Sequence, residues 1–295
     1  MQEIKEEVLT GERALFRSDN LEISYSTFLN GESPLKESSN LKLKNNLFKW
    51  KYPLWYCNNV EVENTTFFEM ARAGIWYTKN ISLRNCTIEA PKNFRRAENI
   101  RLEQVNLSNA AETLWNCNNA YLKEVTAQGD YFAMNSKNLK IDEFSLVGNY
   151  SFDGCKDIEI SNSKLLSKDA FWNCENVTVT DSFISGEYIG WNSRNLTFIN
   201  CTIESLQGFC YIENLTLINC TLLNTNLAFE YSTVDVQVNS KIDSIKNPAA
   251  GRIEARKIDQ VILDKTEIEP AKTEIISIEI DKDNKTSHLD LKVIR

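Results

Sequence analysis

The chain has 295 residues, 33 Lys and Arg against 41 Asp and Glu, and a formal charge of −8. Phosphate neutralisation needs clustered cations, so this balance excludes a general nucleic-acid binder. Ten Gly, five Pro and 42% hydrophobic residues exclude a disordered or collagen-like chain and allow a sizeable core.

In chain order, the opening segment MQEIKEEVLTGERALF is acidic and amphipathic. It lacks the basic head and apolar run of a signal peptide. No later stretch reaches the ~18 to 20 apolar residues of a membrane span, so no membrane partner is expected. Residues 1–19 read as an N-terminal cap with a short helix using Ile4, Val8 and Leu9.

From Asn20 a phrase recurs every 19 to 21 residues, opening at Asn20, Asn40, Asn59, Asn80, Asn99, Asn119, Asn138, Asp157, Asn176, Asn195 and Asn214. A fixed period of this length means stacked identical units. Positions 1 and 3 after each start are apolar, as in Leu41/Leu43, Val60/Val62 and Ile81/Leu83. Position 2 is mostly charged or polar, as in Glu61, Arg101 and Lys140. That alternation is a short strand with one buried face. Position 5 is an amide or acid again (Asn45, Asn64, Asn85, Gln104), and positions 6 and 8 resume the buried pattern. A third, aromatic-rich segment closes each unit: PLWYC, GIWYT, TLWNC, AFWNC, IGWNS.

Three short segments per unit predict an all-β chain, a right-handed parallel β-helix of about 11–12 coils spanning residues 20–246. Asn suits the corners because it tolerates the left-handed conformation and bonds its own backbone. A leucine-rich repeat would need another Leu three residues before the first apolar position, where this chain has Cys, Ser, Thr or Ala. The cysteines share that small-residue column or the position-6 column, so they read as small buried residues rather than disulfides. With one histidine and no CxxC spacing, neither a metal nor a cofactor is expected, and a reducing cytoplasm is the expected location. After the repeat, residues 247–280 read as a C-terminal strand-turn-strand cap. Residues 281–295, which hold the single histidine, His288, read as a polar, fraying tail.

The phrases WKYPLWYCNNVEVENTTF, RAGIWYTKNISLRNCTIEAPKNFRR, LLSKDAFWNCENVTV and SGEYIGWNSRNLTFINCTIESLQG resemble a prokaryotic protein family known only as a domain of unknown function. The resemblance runs from about residue 10 to about residue 275. It implies a pectin-lyase-like β-helix, with no activity and no catalytic residues to carry over.

The column four residues before each start collects Trp55, Trp76, Trp115, Trp172 and Trp191, broken by Arg95 and Asp153. Beside it run Arg96, Asn116 and Asn135, while Asp130, Glu187, Glu112 and Asp169 lie in loops that can overhang it. If the neighbouring Leu54, Ile75, Phe94, Leu114 column is buried, the tryptophans face out. They then form a strip for a carbohydrate chain, or for a protein or a second copy of the chain. If the third segment bends, the indoles stack inside and only stabilise the coil. An enzyme reading makes Asp153 an acid or nucleophile and Arg95 a base for β-elimination. Against it, positions three coils apart are ~14 Å apart, beyond the ~5 to 9.5 Å of glycosidase carboxylate pairs.

Overall fold

The structure, a computed structural model, describes residues 1–279 and 290–294. It is all-β, a right-handed parallel β-helix of about 15 turns, with one 3-10 turn at Pro270–Lys272. The chain divides into two compact units, Met1–Ile158 and Glu159–Arg295.

In the first unit, the apolar positions stack rung on rung. Leu41 aligns with Val60, Ile81, Ile100, Ala120 and Leu139 along the first wall, all buried. A one-residue slip would turn every one of them to water, so the alternation itself enforces the register. On the second wall, Phe28, Phe48 and Phe67 stack face to face at 4.4 and 4.8 Å. The unit-opening asparagines Asn20, Asn40, Asn59, Asn80, Asn99, Asn119 and Asn138 all have φ between 53° and 59°. Their amides form a ladder: Asn59 donates to Asn40 (3.1 Å), Asn99 to Asn80 (2.7 Å) and Asn119 to Asn99 (2.7 Å).

The expected helix over Ile4, Val8 and Leu9 is replaced by two strands. Gln2–Lys5 pairs in parallel with residues 21–24, and Val8–Leu9 with Thr27–Phe28. Stacking on the next coil gives these N–H and C=O groups partners that an exposed short helix would find only in part. The first 19 residues therefore add a coil to the stack, one reason for about 15 turns rather than 11–12.

In the second unit, Glu175–Thr180, Arg194–Ile199, Glu213–Leu223 and Thr233–Lys246 continue the first-wall pattern. The described part of the expected C-terminal cap, residues 247–279, extends it as well. Ala250–Ile262 pairs in parallel with Thr233–Lys246, and Thr273–Glu279 with Ala250–Ile262. Asp290–Ile294 then pairs antiparallel with Thr273–Glu279. The rest of the expected tail, including His288, lies outside the described residues.

All eight cysteines are free and buried. In the small-residue column, thiols and hydroxyls do the same work. Cys57 Sγ donates to the Leu35 carbonyl (3.1 Å), Thr78 Oγ1 to Leu54 (2.6 Å), Cys117 Sγ to Phe94 (2.9 Å) and Ser136 Oγ to Leu114 (2.5 Å). The hydroxyls also accept from the coil before, as when Cys57 N–H meets Thr78 Oγ1 at 3.3 Å. Burial pushes the Cys57 and Cys117 thiols up to about 12 and Cys86 up to about 11, which keeps them protonated.

Candidate functional site

The third wall is not the extended strand the alternation suggested. Left-handed residues recur along it (Tyr56, Tyr77, Phe94, Arg96, Leu114, Asn116, Ala133, Asn135), and only isolated bridges link Trp76, Arg95 and Trp115. The inside–outside alternation persists all the same. Leu54, Ile75, Phe94 and Leu114 are 0% exposed, while the five tryptophans point outward and are half-buried.

Facing out does not leave their ring faces open. Trp55 and Trp76 stack at 5.2 Å with planes 6° apart. The Arg95 guanidinium then lies 4.7 Å from the Trp76 ring centre and 4.6 Å from that of Trp115. Each indole N–H donates to a carbonyl about one coil on: Trp55 to Ala73 (2.5 Å), Trp76 to Lys92 (2.7 Å) and Trp115 to Tyr131 (2.5 Å). In the second unit, Trp172 donates to Tyr188 (2.7 Å) and sits 6.2 Å from Trp191, which packs on Tyr211 at 4.7 Å. The flat-faced platform expected of Trp55, Trp76 and Trp115 is therefore occupied by its own members, and edges are what meet water.

The charged and amide candidates have structural partners too. Arg95 pairs with Glu112 at 3.0 Å, and Glu112 also takes Lys92 at 3.1 Å. A planar cation between two indoles is well placed to join coils and poorly placed to take a proton. Arg96 is exposed, 5.9 Å from the Tyr77 ring centre. Asn116 and Asn135 are left-handed corner residues whose main-chain N–H groups reach Met134 and Asp153 carbonyls at 2.9 and 2.8 Å. Asp153 is half-buried. Asp130 accepts the Asn149 N–H at 2.8 Å and so braces its loop. Glu187 pairs with Lys168 at 3.0 Å. Its neighbour Asp169 is 3% exposed, with Oδ1 lacking any hydrogen-bond partner, and burial pushes its carboxyl above the usual range.

The concave surface lies elsewhere, on the first wall of the Met1–Ile158 unit. A hollow of about 640 Å³ is lined by the amide ladder (Asn20, Asn40, Asn59, Asn80, Asn99) and by Lys42, Glu61, Ser82 and Arg101. A second hollow of about 390 Å³ shares those last four and adds Glu22, Lys44, Glu63, Arg84 and Glu103. The four shared side chains are position 2 of successive units, in register from Lys42 through Glu61 and Ser82 to Arg101, and Glu22 of the second hollow precedes them in the same column. Ser82, the shortest of them, lines both hollows. Asn40, Asn80 and Asn99 each donate one side-chain N–H and accept one bond at the side-chain oxygen, while Asn20 donates to Asp19 and Asn59 to Asn40; each amide keeps a second N–H for a ligand. The sequence signal for this site was the polar position-2 column, which an aromatic column elsewhere outshone.

Among the described residues, no helix is long and apolar enough to cross a membrane. Solved structures similar to this chain include PfbA, a surface adhesin of Streptococcus pneumoniae, at 12% identity and TM-score 0.41, over 74% of this chain and 71% of that one. The Azotobacter vinelandii mannuronan C-5 epimerase AlgE4 A-module is similar at 10% identity and TM-score 0.32, over 92% and 86%. A Thermotoga maritima exopolygalacturonase is similar at 10% identity and TM-score 0.34, over 93% and 82%. At these identities, with TM-scores below 0.5, no activity passes from them to this chain. No curated relative matches it. Residues 2–276 match the family described as "Protein of unknown function (DUF3737)", and the chain belongs to that family.

Proposed function

We propose that the chain binds an extended, hydroxyl-rich polymer, a carbohydrate chain, along the first-wall groove of the Met1–Ile158 unit. The observation that carries this reading is the hollow of about 640 Å³ whose lining repeats from coil to coil. Successive coils present an asparagine side chain at a ~4.8 Å step. A repeating wall of donors and acceptors suits a repeating ligand, and polar groups that converge in a concavity suit hydroxyl recognition. The occupied ring faces of the third wall supply no comparable stacking surface.

The test is calorimetric titration of a panel of oligosaccharides into the wild-type chain and into Ser82→Trp. Position 82 faces outward on the sheet, so the indole fills the groove without entering the core. Saturable binding that Ser82→Trp weakens by about tenfold or more supports the reading. No saturable binding by any member, or equal binding by the variant, removes it.

A further inference from the structure

We infer that the polymer bound in this groove is zwitterionic, a carbohydrate chain bearing both ammonium and carboxylate groups; this rests on the carbohydrate reading of the same groove. The two outward columns of the first wall differ in how their charges are used. Two residues further along each strand, Lys44 pairs with Glu63 at 3.4 Å and Arg84 pairs with Glu63 at 3.1 Å. On the far side of the corner asparagines, Lys79 pairs with Glu98 at 3.2 Å. In the groove column, Glu22, Lys42 and Glu61 stand directly opposite one another on successive strands. Opposite charges so placed are within ordinary pairing reach. Yet these three form no ion pair among the described residues, and Lys42 and Glu61 point into the groove.

The column thus reads acid, base, acid, hydroxyl, base from Glu22 to Arg101. Arg101 is already engaged by Glu103 and lies 4.5 Å from the Tyr121 ring centre. The uncommitted part is the Glu22–Lys42–Glu61 triplet, one coil per step. Its complement is ammonium, carboxylate, ammonium at the same step. A polyanion meets Glu22 and Glu61 as like charges, and a polycation meets Lys42 the same way. Like-charge juxtaposition penalises a wrong partner more than a good pair rewards the right one. A neutral chain forfeits all three charge contacts.

Four chains of matched length distinguish these cases: carboxymethyl-chitosan, chitosan, polygalacturonate and cello-oligosaccharide, each titrated at low salt and at about 0.5 M salt, where screening is strong. The expected result is that carboxymethyl-chitosan binds about tenfold tighter than the neutral chain at low salt. That advantage shrinks towards none at high salt. Lys42→Glu shifts the preference towards chitosan, and Glu61→Lys shifts it towards polygalacturonate. Both positions are exposed, and an unchanged urea midpoint verifies that each variant folds. If the neutral chain binds as well as the zwitterionic one, and both swaps leave the ranking unchanged, the charge inference is overturned while carbohydrate binding stands. If an alternating Lys-Glu peptide outcompetes every carbohydrate, the charge pattern is read by a polypeptide and the inference is overturned. If none of the chains binds, both readings fall together.

Discussion

On the third wall of the Met1–Ile158 unit, Trp55 and Trp76 lie face to face, Arg95 fills the gap to Trp115, and Glu112 closes on Arg95. On the first wall, Lys42 and Glu61 occupy neighbouring rungs and form no pair, beside amides with donors to spare. Both walls use one repeat, one coil spacing and left-handed corners. The difference lies in side-chain reach. A flat ring or guanidinium matches the ~4.8 Å rise and is satisfied by the copy above and below it. A flexible ammonium or carboxylate rests in water at little cost, since an exposed pair gains only about 0 to 1 kcal/mol. Pointing outward is therefore not the same as being available to a ligand.

Substitutions among the stacked side chains of the third wall are expected to change stability, and those in the charged position-2 column of the first wall to change binding. The largest effect is expected for Trp76→Ala, which removes two stacking partners and the bond to the Lys92 carbonyl. It should cost about 2 to 3 kcal/mol, below the about 3 to 5 of a fully buried tryptophan. Urea unfolding measures it, and a loss under about 0.5 kcal/mol would place Trp76 among ordinary surface residues. Groove ligands should bind this variant unchanged.

Next comes the corner. Asn99→Ala places a Cβ-branch-free but still hindered residue at φ 55° and breaks the amide ladder on both sides. The expected loss is about 1 to 2 kcal/mol. Asn99→Gly should recover the backbone part and leave the ladder part, so the two variants together separate conformation from hydrogen bonding. Equal losses would mean that the left-handed corner contributes nothing.

A smaller gain is expected at Asp169 in the second unit, where a charge is buried rather than left in water. Burial raises its folded-state value above the ordinary 3.8. Its contribution is thus fully present below pH 3.8 and is lost as pH rises through the raised value. Asp169→Asn should raise the melting midpoint at neutral pH, by the equivalent of about 1 kcal/mol, and flatten the pH profile above 3.8. A variant less stable than wild type at neutral pH would contradict an unfavourable buried charge.

Least of all, Lys42→Ala should leave stability within about 0.5 kcal/mol while weakening a charged groove ligand several-fold. Thermal melts beside the titrations measure both. A melting shift as large as that of Trp76→Ala would abolish the distinction between the walls.

Much of the fold was legible residue by residue. Leu41/Leu43 and Val60/Val62 announced the buried face, and the recurrent Asn announced left-handed corners. Cys57 in a column of Ser, Thr and Ala announced a small buried residue, and the structure adds that its thiol makes the bond a hydroxyl makes elsewhere in the column. The first coil was misread because Ile4, Val8 and Leu9 also match a helical face, and only stacking on residues 21–28 decides between the two. For the tryptophans the sequence leaves two arrangements open, an outward strip and an inward stack; the structure turns them outward and stacks Trp55 on Trp76 all the same.

Period, alternation and corner chemistry are local properties, readable within about twenty consecutive residues, so the sequence alone determined the solenoid and the buried face of its first two strands. Availability is a property of neighbours one coil away. The tertiary structure alone decided that Arg95 slots between two indoles and that Lys42 and Glu61, though opposite one another, form no ion pair with each other. It also gathered five separate asparagine corners around one hollow. The physical reason is that a coil's rise sets which side chains fit against their own copies, and those that do not fit remain exposed to solvent.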